Sequence, residues 1–389
     1  MSAEQDDFDF DFDFDRVISR RGSGSLKWDG AAERFGAEVL PMWVADMDFA
    51  APDTVIADLQ ERLNHPVFGY PGNEGIMLQA AADWLARRHN WRPESDAVAC
   101  ISGVVPALYA AVRAFTRPGE AIIVMPPIYP PFMTAVEDNG RELLLAPLIA
   151  DDTGHYRMNW DALEAAVRRA KLLLLCSPHN PVGRVWTPKE LQRLGALCTN
   201  TGCVVVSDEI HADLSQHPHC PFPSRFPRSI LLTSAGKSFN LAGLGGGVSV
   251  ISDAGLRRTF QDEVQRSQIQ HTNLFALTAM TSAWRHGAAW QATLRQYLSN
   301  NARFISEYLM RELPEVGYRQ PEFGYLAWLD VHHYGDDETL ARRLLQAGLG
   351  LNPGPSFGPG GAGFVRLNFA APRSVLEEGM DRLRRALHR

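Results

Sequence analysis

Six short apolar runs between residues 121 and 252 constrain this chain more than any other feature. AIIVM (121–125), ELLLAPL (142–148), KLLLLC (171–176), CVVVSD (203–208), SILLTS (229–234) and GGVSVIS (246–252) are strand-sized and mostly Val, Ile and Leu. As a set they lack the period-two alternation of a half-exposed strand, so both faces must be covered. Between them lie amphipathic segments, WDALEAAVRRA (160–170) and PKELQRLGALC (188–198). The second opens with Thr187, Pro188 and Glu190, the order of an N-cap, a first-turn proline and a capping-box partner. Strands alternating with helices predict an α/β fold with a mostly parallel, helix-covered sheet.

From about residue 285 the pattern changes. A long helix is expected through QATLRQYLSNNARFISEYLMREL (291–313), followed by a strand YLAWLDV (325–331), a helical DETLARRLLQAG, a strand GFVRLNFA (363–370) and a closing helix. This predicts a large domain over 48–285 and a smaller α+β domain made from 1–47 and 286–389, a division the 389-residue length allows. The run FDFDFDFD (8–15) would place every Phe on one face of a strand. The plainer reading is an acidic tail whose last part docks on the body.

Charge and composition exclude several classes of function. A formal net charge of −7 argues against a nucleic-acid partner, which calls for a basic face. No apolar stretch approaches the roughly 20 residues of a membrane helix, and the acidic N-terminus does not read as a signal peptide. Five cysteines without paired spacing read as free thiols of a cytoplasmic protein. HPHC (217–220) carries ligand-type residues, but it has no fourth partner in view and reads as a polar loop, not a metal site. GLGGG (243–247) does not follow a strand in the order of a dinucleotide-binding loop.

Ligands of an open α/β sheet bind outside the carboxyl ends of its strands. Polar residues of unlike chemistry stand at three of those ends: Asn180 in CSPHNPVGRVW (176–186), Asp208 in VVVSDEIHADL (204–214), and Ser234 with Lys237 in SAGKSFNLAGL (234–244). Pyridoxal phosphate requires such a set. Lys237 is placed to bind the cofactor aldehyde as a Schiff base, and Asp208 to keep the ring nitrogen protonated. Ser234 and the free amides of Val104 and Val105, where SGVVPALYAAV (102–112) turns into a helix, are candidates for the phosphate. Tyr129, in PPIYPPF (126–132), is the candidate to stack on the ring.

These motifs, together with RRGSGSLKW (20–28) and LPMWVADMDF (40–49), make the chain resemble the fold-type-I pyridoxal-phosphate enzymes of the aminotransferase class I/II superfamily. The likeness runs over nearly the whole chain and is strongest for the carbon–sulfur lyase branch, which includes cystathionine β-lyases. It implies that Lys237 carries the cofactor and that Asn180 serves both the ring hydroxyl and the substrate carboxylate. His211 would face the ring hydroxyl, Arg366 would clamp the substrate α-carboxylate, and Tyr70, in VFGYPG (67–72), would reach the phosphate of a neighbouring subunit. A homodimer with active sites at its interface follows. Two departures from the aminotransferase pattern are Gly245, where many have an arginine for the phosphate, and Gly236, where a serine is common.

The resemblance implies β-elimination on L-cystathionine or another S-substituted cysteine, giving a thiol, pyruvate and ammonia. Lys237 would move the α-proton, and Lys237 or Tyr129 would protonate the leaving thiolate. The rival reading is an aminotransferase that passes the amino group to a 2-oxo acid. A third is a regulatory protein acting through a protein contact, since no helix-turn-helix or basic patch is present. Loops near Trp43, Asp46 and Tyr325 are expected to shape the substrate pocket.

Overall fold

A computed structural model of the chain describes residues 12–72 and 74–388. Its centre is a seven-stranded sheet. In chain order the strands are β1 (Val98–Ile101), β2 (Ala121–Val124), β3 (Glu142–Leu145), β4 (Ala170–Cys176), β5 (Val204–Asp208), β6 (Ser229–Thr233) and β7 (Gly247–Val250). The spatial order is β1-β7-β6-β5-β4-β2-β3. Only β7 runs against its neighbours, pairing antiparallel with both β1 and β6. The other six point their carboxyl ends to one edge, and all six apolar runs of the sequence lie in this sheet.

Three differences from the sequence reading have physical causes. Strand β1, VACI, is too short and too rich in small residues to stand out, and pairing with β7 makes it a strand. The helix expected over 160–170 ends at Ala166, because Ala170 already pairs with Ala121. Strand β3 lies at the sheet edge with its side chains exposed or half-buried, so ELLL is not covered on both faces within this chain. The helix Pro188–Thr201 forms as expected. Thr187 accepts from the Glu190 amide and Glu190 accepts from the Thr187 amide, closing the capping box.

A second sheet has four strands, β8 (Gly317–Tyr318), β9 (Leu326–Asp330), β10 (Asn352–Pro353) and β11 (Phe364–Asn368), in the order β8-β9-β11-β10. The helices Ala288–Glu312 and Arg373–Leu387 belong to this C-terminal part. The N-terminal segment joins it where Leu40–Pro41 pairs parallel with Leu349–Gly350. One apolar cluster runs from Phe14 and Met42 through Phe239 and Trp290 to Leu326 and Leu383. No helix among the described residues is long and apolar enough to cross a membrane.

Of the FDFDFDFD run, residues 8–11 lie outside the described residues. The last part docks. Phe14 is buried against Phe49, Trp290 and Tyr297, and Asp15 accepts a 2.5 Å hydrogen bond from the Tyr297 hydroxyl.

Beyond Leu40–Pro41 the chain runs without regular structure past the edge of the large sheet. Its backbone polar groups are satisfied by side-chain amides from elsewhere, as buried irregular backbone requires. Asn352 donates to Trp43 O, Asn368 to Val44 O and Asp46 O, and Asn240 to Met47 O and Phe49 O. Behind the segment, Arg20 bridges Asp46 and Asp48, while Lys27, only 1% exposed, holds Asp48 at 2.7 Å.

The capping box yields a direct check. Thr187→Ala removes one cap and should lower the unfolding free energy by about 1 kcal/mol. Urea denaturation of the variant beside the parent chain measures it; an unchanged midpoint would show that the cap carries no weight.

Candidate active site

The carboxyl edge of the large sheet borders a cavity of about 400 Å³. Its walls include Val104 and Val105 after β1, Tyr129 after β2, Asn180 after β4, Asp208 at the end of β5, and Ser234 and Lys237 after β6. Arg366 enters from β11 and His211 from the loop after β5. The strand-end residues read from the sequence thus converge in one space.

Lys237 sits in a four-residue helix, Ala235–Ser238. Its Nζ donates to Ala45 O at 2.5 Å, and the Tyr325 hydroxyl donates to the same carbonyl at 3.1 Å. Burial pulls the amine down to about 8; Arg366 adds to this, and Asp46 and Asp208 oppose it. Asp208 is buried at the cavity wall, its Oδ1 accepting from the Ile210 amide at 3.1 Å. Burial raises its carboxyl to about 7, against the pull of Lys237. Among the described residues no cation forms an ion pair with it. A carboxylate in this position is suited to an incoming cation such as a protonated ring nitrogen.

Arg366 is buried with no carboxylate partner among the described residues. Its Nη1 donates to Asn180 Oδ1 at 3.1 Å and its Nη2 to Trp43 O at 3.0 Å. Its Nε is buried without a partner, and the guanidinium lies 4.9 Å from the centre of the Phe357 ring. Burial lowers its pKa to about 10, still charged at neutral pH. An arginine in this state is a receptor for one carboxylate. His211 is buried against Phe323 and Tyr325 with Nδ1 unpartnered, and burial holds its pKa near 3, so the imidazole is neutral. Burial raises the Tyr129 phenol above its ordinary value.

The anion end of the cavity is backbone. Gly103 precedes the helix Val104–Phe115 and supplies no side-chain cap, which leaves the Val104 and Val105 amides free; Pro106 has none to offer. Gly245 and Gly246 close the other side, with φ of 71° and 83°. A Cβ on Gly246 would come within 2.8 Å of the Thr272 side chain. The GLGGG run set aside as a dinucleotide loop therefore does line the site, because the antiparallel β7 begins at the edge where the other strands end. The signal was the left-handed conformation that consecutive glycines permit.

Three expectations need correction or qualification. The Ser234 hydroxyl donates to Gly246 O at 2.9 Å and accepts from the Gly236 amide, so it ties the loop as well as lining the cavity. Tyr70 is 104% exposed and does not line the cavity of its own chain. HPHC is not simply a polar loop, because His219 is buried with Nε2 2.7 Å from Glu209 Oε2. The described residues contain no cluster of three or more groups that could hold a metal ion. Of the pocket-shaping residues, Trp43 lines the cavity, Asp46 pairs with Arg20, and Tyr325 is buried beside His211. Ala45, which receives Lys237 through its carbonyl, had no signal in the sequence, because a backbone acceptor is independent of residue type.

The residues present fit pyridoxal phosphate. An amine with a lowered pKa, an enclosed carboxylate without a counter-ion and a backbone anion cradle face one cavity of suitable size. The aminotransferase class I and II profile matches residues 37–383. The chain is 40% identical to cystathionine β-lyase PatB of Bacillus subtilis, over 96% of this chain and 99% of that protein. The crystal structure of a PLP-bound putative aminotransferase from Clostridium difficile superposes with a TM-score of 0.95 at 36% identity, covering 97% of this chain and 100% of the other. Cystalysin from Treponema denticola, which contains pyridoxal 5'-phosphate, superposes with a TM-score of 0.93 at 32% identity, covering 97% and 99%. Sequence, fold and cavity agree that the chain belongs to the aminotransferase class I and II family, the fold-type-I enzymes dependent on pyridoxal phosphate.

Proposed function

We propose that the chain is a carbon–sulfur β-lyase acting on L-cystathionine or a related S-substituted cysteine, releasing a thiol, pyruvate and ammonia. The observation that carries this reading is the 40% identity to a cystathionine β-lyase over 96% of the chain. The cavity is compatible with it: Arg366, buried without a carboxylate partner among the described residues, is a receptor for the substrate α-carboxylate.

When bound, pyridoxal phosphate supplies the electron sink for the pair left on the substrate α-carbon. Asp208 would hold the ring nitrogen in its protonated form, and the Val104 and Val105 amides would hold the phosphate. Arg366 offers its unpartnered Nε to the substrate α-carboxylate, with Asn180 fixing the plane of the guanidinium. Lys237, at about 8, takes the proton from the α-carbon and returns a proton at the β-carbon side to the departing sulfur. Tyr129 would stack over the ring, and its phenol, kept protonated by burial, would be the alternative donor to the thiolate. Neutral His211 would face the ring hydroxyl.

We place the active sites at the interface of a homodimer. Tyr70 projects fully into solvent beside exposed Leu63, Val67 and Phe68, an apolar strip that a second copy would cover while bringing Tyr70 to the neighbour's phosphate.

Three measurements test the reading. Incubated with L-cystathionine alone, the loaded enzyme should produce pyruvate and thiol over many turnovers; a single half-turnover that converts the cofactor to its amine form would establish the aminotransferase instead. Mixing Tyr70→Ala chains with Lys237→Ala chains should restore activity to roughly a quarter of the parent, one intact site in half of the dimers, whereas no rescue would place Tyr70 outside the site.

The third measurement concerns Asp208. Its folded-state pKa of about 7 lies above the ordinary carboxylate value, so the folded apoprotein keeps a proton that the unfolded chain releases. The apoprotein therefore loses stability as pH rises from about 4 to about 7. Asp208→Asn should raise apoprotein stability at pH 8 by on the order of 1–3 kcal/mol and shrink the stabilisation that added cofactor confers. Thermal unfolding with and without cofactor reads both; an undiminished cofactor effect would remove Asp208 from the ring nitrogen.

A further inference from the structure

Behind Asp208 and Lys237, on the side away from the cavity, four titratable groups that the proposed chemistry does not use are buried together. Glu209 follows Asp208 in the chain. Its carboxylate accepts from Ser207 Oγ at 2.8 Å and from the Phe222 amide at 2.9 Å, and lies 2.7 Å from His219 Nε2. Asp213 lies 2.8 Å from His89 Nε2, at the end of the helix Glu74–His89. It also accepts, at 3.0 Å, from the hydroxyl of Ser238, the residue after Lys237. The two imidazoles meet edge to face, centroids 5.3 Å apart, and both Nδ1 atoms are buried without a partner. A cavity of about 10 Å³, enough for roughly one water, opens against His89, Glu209 and Asp213. Arg88 and Gln291 donate to Asp213 O, and Arg88 and Arg295 to Ser215 O, closing the cluster from the helix side.

Three carboxylates, Asp208, Glu209 and Asp213, thus occupy six consecutive positions of one buried loop. Enclosed acids without counter-charges are costly, and each raises its neighbour's affinity for a proton. Glu209 does act on Asp208 in that direction. The rear two have one imidazole each, and Asp208 alone is left open to the cavity. The helix carrying Lys237 is too short to orient itself, and its ends are tied by Ser234 to Gly246 and by Ser238 to Asp213.

We propose that His219 and His89 are positioning residues: by hydrogen-bonding Glu209 and Asp213 from behind and fixing their orientation, they keep Asp208 as the one acid available to the cofactor and hold Lys237 at a set distance from it. The proposal rests on the cofactor and not on the choice between lyase and aminotransferase, so its test uses no turnover.

His219→Gln keeps an N–H donor for Glu209 but not the reach and shape of the imidazole; His219→Leu removes the donor as well; Ser238→Ala releases the lysine helix from Asp213 with little change in packing. For each, three quantities are measured: the dissociation constant of pyridoxal phosphate, the pH midpoint of the visible absorption of the loaded protein, and the unfolding temperature of the apoprotein. His219→Gln and Ser238→Ala should weaken cofactor binding about tenfold, the lower end of what losing an outer partner costs at a liganded site. They should also displace the absorption midpoint, with apoprotein unfolding close to the parent's, and His219→Leu should do so more strongly. Parental cofactor affinity and midpoint in His219→Gln and Ser238→Ala, whatever the unfolding temperature, would overturn the proposal and leave the cluster a packing feature.

Discussion

Asp208, Lys237 and Arg366 are buried around one cavity without forming ion pairs to one another, and most other features of the fold serve to keep them so. Burial pushes the carboxyl up to about 7, the amine down to about 8 and the guanidinium to about 10. Each group is therefore displaced toward its neutral form and is receptive to a partner of opposite charge. A direct Asp208–Lys237 pair would relieve the strain and close the site. The lysine is instead held by the Ala45 carbonyl, which shares the Tyr325 hydroxyl.

That arrangement depends on an irregular piece of backbone. The segment Trp43–Met47 presents carbonyls to Arg366, Lys237 and Tyr325, and a row of asparagines fixes its course. The asparagines come from β10, β11 and the loop after Lys237, so the second sheet and the loop beside Lys237 anchor the same segment. The Arg20, Lys27, Asp46 and Asp48 cluster braces it from behind. Ionic and amide contacts substitute here for the regular hydrogen bonding that the segment lacks.

Much of this was legible beforehand. The six apolar runs mark the strands of the large sheet, because a strand buried on both faces must be apolar throughout. Thr187, Pro188 and Glu190 mark a helix start through local geometry alone. Asn180, Asp208 and Lys237 could be grouped because parallel strands deliver their carboxyl-terminal residues to one edge. Other residues gave no such handle. VACI became a strand only beside β7, and WDALEAAVRRA lost its last turn to pairing with β2. Ser234 is a candidate for the phosphate in the sequence, but its bond to Gly246, twelve residues away, has no local signal. HPHC read as a loop because Glu209 and His89, which draw His219 inward, are distant or unremarkable in sequence.

The sequence by itself determined the α/β sheet, the capped helix, the set of strand-end residues and, through its resemblance, the family and cofactor. These are recorded in short periodicities and local chemistry, which act over a few residues and survive without knowledge of the fold. Tertiary structure alone decided how burial shifts each ionisable group, what the Ser234 hydroxyl is bonded to and where Lys237 rests. Those properties depend on desolvation and on contacts across long separations, such as Lys237 with Ala45 and Arg366 with Asn180. Neither exists until the chain has closed around the cavity.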